Sequence, residues 1–68
     1  MPTTHFSIPA MQSQNDADAV MFELQDLPCI HVADVDLASS GAWAEHTNFI
    51  SPEEIALALT EAGYPATV

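Results

Sequence analysis

No lysine and no arginine occur among the 68 residues, against ten aspartates plus glutamates and three histidines, giving a formal net charge of −10. An average chain carries charge of both signs at about a quarter of its positions. Here 15 % of residues are charged, all of one sign, so bases are missing rather than acids in excess. Nucleic-acid binding needs cations to neutralise phosphates and release counterions, and it is excluded on that ground. Attraction to an anionic membrane surface fails for the same reason, and nothing could clamp a phosphoryl group in transfer. Cysteine is also scarce. A single thiol excludes an internal disulfide framework and a multi-thiolate metal site within one chain. Two glycines leave no material for a Gly-rich phosphate loop. No apolar run approaches the roughly 20 residues of a membrane helix, and no basic segment announces a leader, so the expected compartment is the cytoplasm.

Hydrophobic residues make up 49 % of the chain, enough to keep it from being disordered by composition. It is expected to form a single domain over residues 1–68. At this length about 60 % of the unfolded surface can be buried, so stability should be marginal. Neither a His-Glu-x-x-His pattern nor a nucleophile elbow is present, and no enzyme is expected.

Phe6 and Ile8 alternate with His5 and Ser7, which predicts a strand over Thr4–Ile8 ended by Pro9. Ala17, Val20, Met21, Leu24 and Leu27 follow helical spacing, predicting a helix over Asp16–Leu27. Ser13 or Asn15 can cap it, Asp16 and Asp18 suit the positive end of its dipole, and Pro28 stops it. Ala33, Val35 and Leu37 alternate with Asp34 and Asp36; after a Ser-Ser-Gly turn, Ala42–His46 gives a second run. These predict an antiparallel hairpin with one wet face. Ser51-Pro52-Glu53-Glu54 is a capping box with proline at the first helical position. Ile55, Ala58, Leu59 and Ala62 continue that helix, and Gly63 suits the left-handed position after it. Tyr64–Val68 predicts a closing strand. The order βαββαβ specifies an α+β, ferredoxin-like sandwich, with two helices on one face of a four-stranded antiparallel sheet.

These residues resemble the heavy-metal-associated domains, the small copper-chaperone and metal-ATPase modules, along nearly the whole chain. The likeness runs through Phe6-x-Ile8-x-x-Met11, Ala17-x-x-Val20-x-x-x-Leu24-x-x-Leu27-Pro28, Val35-Asp36-Leu37 and Ile55-x-x-Ala58-Leu59-x-x-Ala62-Gly63-Tyr64-x-Ala66. The resemblance implies binding of Cu(I) or another metal such as Zn(II) through Met-x-Cys-x-x-Cys in the first loop. Aligned on Met11, the two cysteine positions hold Ser13 and Asp16. A hydroxyl and a carboxylate do not suit a soft ion, so soft-metal binding is expected to be weak or lost. Met11 is expected to be a core anchor, as is usual in the family, and Tyr64 to pack near the loop. Cys29 stands where the family usually has glycine. It lies about 16 Å along the first helix from the loop, too far to replace a ligand.

Other candidates are each weighed against a plainer role. Ser13, Asn15, Asp16 and Asp18 could present oxygens to Ca²⁺ or Mg²⁺, but a helix N-terminus repels cations, which favours a solvated cap. Cys29-x-His31 could be a thiol–imidazole pair, as in a nucleophilic site, or half of a metal site shared by two chains; otherwise Cys29 is an ordinary turn thiol. His5 and His46 are expected at the surface. As histidines are the only side chains able to gain positive charge, stability should rise modestly from pH 7 to 5 as self-repulsion eases. Trp43, beside Val32, is expected on the sheet face away from the helices, as a partner surface or as a lone exposed aromatic, and Tyr64 is counted with them in that partner surface.

The function expected from the resemblance is a metal-trafficking domain with a degenerate loop, acting mainly by docking as a monomer or weak dimer. A basic partner such as a metal-transport ATPase domain would complement its charge. The alternatives are a structural or engineered variant with no trafficking role, or a dimeric metal site at Cys29 and His31.

Overall fold

A computed structural model describes residues 2–68. Thr4 and Phe6 turn inward and Thr3, His5 and Ser7 outward along the first strand, β1 (Thr3–Ser7). Ile8, fully buried, lies just past it and donates its N–H to the Ser40 carbonyl at 2.7 Å. The first helix, α1 (Gln14–Asp26), starts two residues before the predicted Asp16 because Ser13 is its cap, the Ser13 hydroxyl accepting from the Asp16 N–H at 3.2 Å. Ala17, Val20 and Leu24 form its buried stripe. The hairpin follows as β2 (Ile30–Asp36) and β3 (Gly41–His46), then α2 (Pro52–Glu61). The capping box forms as predicted: Ser51 Oγ accepts from the Glu54 N–H at 3.2 Å, and Glu54 Oε1 accepts from the Ser51 N–H at 3.3 Å.

All strand pairs are antiparallel, in the order β1-β3-β2. Of the predicted four strands, three form. The Tyr64–Val68 segment makes a single bridge, Ser7 with Thr67, through backbone hydrogen bonds of 2.8 and 2.9 Å. It lies alongside β1, on the side away from β3. Pro65 has no N–H to give a ladder, which helps to limit the pairing to one residue.

Thr4, Phe6, Ala42, Ala44 and His46 occupy the covered side of the sheet, where Phe6, Ala42 and Ala44 join Leu24, Ile55 and Leu59 in one core. The expectation of a surface histidine at position 46 is overturned. Alternation along β3 sends Ala42, Ala44 and His46 inward together, and the ring is 1 % exposed. It is tolerated there because both nitrogens have partners: Nε2 lies 2.7 Å from Thr4 Oγ1 and Nδ1 lies 3.0 Å from the Thr47 carbonyl oxygen. His5 and His31 are exposed. None of the described helices is long and apolar enough to cross a membrane.

Candidate functional site

The loop between β1 and α1 is held from three directions. Met11 is fully buried, and its N–H donates to the Ile8 carbonyl at 3.0 Å. Its own carbonyl accepts from the Ser40 hydroxyl at 3.3 Å, so the turn of the hairpin braces the loop. Ser40 reaches that position with a left-handed backbone, φ 54°. The sequence marks Ser40 only as a polar turn residue, so this brace was not foreseen.

Asp16 brings the third direction. One carboxylate oxygen, Oδ2, accepts from the Gln12 N–H at 3.0 Å, and the other, Oδ1, accepts from the Tyr64 hydroxyl at 3.0 Å. Local backbone chemistry aims the tyrosine. Gly63 adopts φ 98°, the Gly63 N–H donates to the Thr60 carbonyl, and the Tyr64 N–H donates to the Leu59 carbonyl at 2.9 Å. This is the Schellman end of a helix, which needs glycine at the left-handed residue. It turns the chain so that the side chain after the glycine folds back toward α1.

The electrostatics follow from these bonds. The Gln12 N–H, then the Tyr64 hydroxyl, stabilise the ionised Asp16 carboxylate and hold its pKa below the ordinary 3.8, against a smaller opposing effect of desolvation. The same bond, with desolvation and the adjacent negative charge, raises Tyr64 above the ordinary 10.0.

At the expected metal loop, Met11 therefore presents a buried thioether, Ser13 a hydroxyl already serving as a helix cap, and Asp16 a carboxylate with both oxygens occupied. This set contains no thiolate and does not match the donors that a soft ion requires. Among the described residues, no three His, Cys, Asp or Glu side chains cluster in a way that could hold a metal ion.

Cys29 and His31 do not lie on one regular strand. Cys29 has φ 69° and packs, half-buried, against the core, whereas His31 is exposed at an irregularity where the pairing of Ile30 with His46 shifts to Val32 with Glu45. A shared direction for the two side chains presumes an extended backbone, and the left-handed Cys29 removes that premise. The positive φ also gives the physical reason for a glycine there in the family.

Val32 and Trp43 share the outer sheet face. Val32 is 48 % exposed opposite Glu45, and Trp43 is half-buried between His5 on β1 and Asp34 on β2. Tyr64, the third residue of the expected partner surface, is tied to Asp16 at the loop.

No family model matches the sequence, and no curated protein matches it. Solved structures match closely in shape. Oxidized MerP from Ralstonia metallidurans CH34 superposes with a TM-score of 0.93 at 22 % identity, over 98 % of this chain and 94 % of that one. A copper binding domain from the P-type ATPase HMA7 gives 0.93 at 20 % identity, over 98 % and 92 %. The CopZ metallochaperone gives 0.88 at 16 % identity, over 97 % and 100 %. The chain has the ferredoxin-like fold of the heavy-metal-associated domains and their copper-chaperone relatives.

Proposed function

We propose that this chain is a non-enzymatic, heavy-metal-associated-like domain of the metal-trafficking type whose loop has exchanged soft-ion ligation for internal hydrogen bonding. It acts mainly by docking to a basic protein surface such as a domain of a metal-transport ATPase. The observation that carries the reading is Asp16. At the second cysteine position it spends one oxygen on Gln12 and the other on Tyr64, so the loop is closed by the chain itself. The metal-binding and chaperone character of the structural neighbours supports the trafficking context, and the net charge of −10 supports a basic partner.

The test is titration of the reduced protein with Cu(I) and with Zn²⁺, followed by NMR, beside the Ser13→Cys/Asp16→Cys variant. The expected result is no sub-micromolar binding by the natural sequence and tight Cu(I) binding by the variant. Sub-micromolar Cu(I) binding by the natural sequence with shifts at Ser13 to Asp16 would overturn the reading. Binding that shifts Cys29 and His31 would overturn it in favour of a metal site shared between two chains.

A further inference from the structure

The sheet face turned away from the helices carries its own chemistry. Its middle row runs His5, Trp43, Asp34 and its next row Ser7, Gly41, Asp36, as the strand register dictates. Between them opens a groove of about 450 Å³, with Trp43, His5 and Asp36 among its walls. Gly41 adds no side chain to its floor.

The carboxylates on this face are oriented but not neutralised. Asp34 Oδ1 accepts from the Val35 N–H at 2.9 Å, and Asp36 Oδ1 accepts from the Ala38 N–H at 3.1 Å. Each second oxygen makes no hydrogen bond among the described residues, and the sequence has no lysine or arginine to supply a counter-charge. A half-buried indole with Asp34 paired directly across from it and Asp36 in the wall of the adjoining groove, neither carboxylate neutralised by lysine or arginine, complements one side chain above others. Arginine is planar, stacks on an indole face and bonds carboxylates in a fork, whereas lysine offers only a point charge.

We propose that this open face is the docking surface for a basic segment of a partner protein, which seats an arginine guanidinium over Trp43 and against Asp34 and Asp36. The inference rests on the docking reading above and names its surface. The two fail separately: a basic peptide that binds elsewhere on the chain leaves the docking reading standing and removes only this surface.

The probe is a short arginine-rich peptide titrated against the full chain, with Trp43 fluorescence and NMR shifts as readouts. Its lysine counterpart and spermine serve as comparisons. The expected result is shifts confined to β1, β2 and β3, arginine binding about tenfold tighter than lysine, and about tenfold loss in Asp34→Asn/Asp36→Asn. Trp43→Leu, confirmed folded by its NMR spectrum, should lose a similar factor. Asp26→Asn/Glu61→Gln removes the same charge from exposed helix positions and should leave affinity unchanged. Equal weakening by that control, spermine binding as tight as the arginine peptide, or shifts centred on α1 would overturn the proposal.

Discussion

Replacing Thr4 by valine tests whether the buried His46 is held by chemistry or merely by space. The Thr47 carbonyl can only accept, so Nδ1 carries the proton of the neutral ring and Nε2 accepts from the Thr4 hydroxyl across 2.7 Å. Valine keeps the shape and the strand preference of threonine and removes only that donor. His46 is 1 % exposed and Thr4 8 %, so water cannot readily take the hydroxyl's place. An orphaned buried acceptor costs about 1–3 kcal/mol, whereas replacing both partners by apolar groups is far cheaper than the separate losses imply. A domain of this size holds roughly 3–10 kcal/mol in total, so the single change removes a large share. Urea unfolding followed by circular dichroism should give a lower midpoint at an unchanged slope, with a melting temperature lower by about 4–8 °C per kcal/mol. In Thr4→Val/His46→Leu the combined loss should fall short of the summed single losses by about 1 kcal/mol or more. A Thr4→Val protein within 0.5 kcal/mol of the parent, or strictly additive losses, would refute the reasoning.

Gly63→Ala should cost about 1–2 kcal/mol in the same assay, since a Cβ there meets nothing within 4 Å and the loss is the strain of a left-handed alanine at φ 98°. Ser51→Ala removes one arm of the capping box and should cost about 1 kcal/mol. The Asp16–Tyr64 bond has a defined pH window. Asp16 titrates lower in the folded protein than unfolded, so its contribution is present above pH 3.8 and is lost as pH falls through the depressed value. Tyr64 titrates higher when folded, so its contribution is present below pH 10.0 and is lost as pH rises through the elevated value. NMR titration of the Asp16 carboxyl should give a midpoint below 3.8 that moves upward in Tyr64→Phe; a midpoint at or above 3.8 in the parent would contradict the bond.

What could be read from the sequence was what neighbours in the chain decide. The second helix was fully legible because Ser51, Pro52, Glu54 and Gly63 each act within one turn of their own position. The first helix was misplaced by two residues only because Ser13 and Asn15 were both competent caps. The closing strand was over-read: alternation at Tyr64–Val68 is a local signal, but a ladder needs partners across the sheet, and only Thr67 finds one. Alternation along β3 does put His46 on one face with Ala42 and Ala44; what it could not supply was the pair of hydrogen bonds, with Thr4 and Thr47, that make a histidine tolerable there. At the loop, the resemblance gave the positions Met11, Ser13 and Asp16 and the neighbourhood of Tyr64. The bond from Tyr64 to Asp16 spans 48 residues and depends on a helix ending, so the pattern of either segment alone could not supply it.

The shift in pairing at His31 has a consequence for how copies of the chain meet one another. β2 is an outermost strand, and a straight outer strand is a template on which a second molecule could add its own. The register break between Ile30 and Val32 interrupts that template, and Asp34 and Asp36 place like charges wherever two such edges would align. Deleting His31 would restore even pairing and straighten the edge. The domain would then rely on mutual repulsion of its acids to stay dispersed, a protection that added salt would screen away.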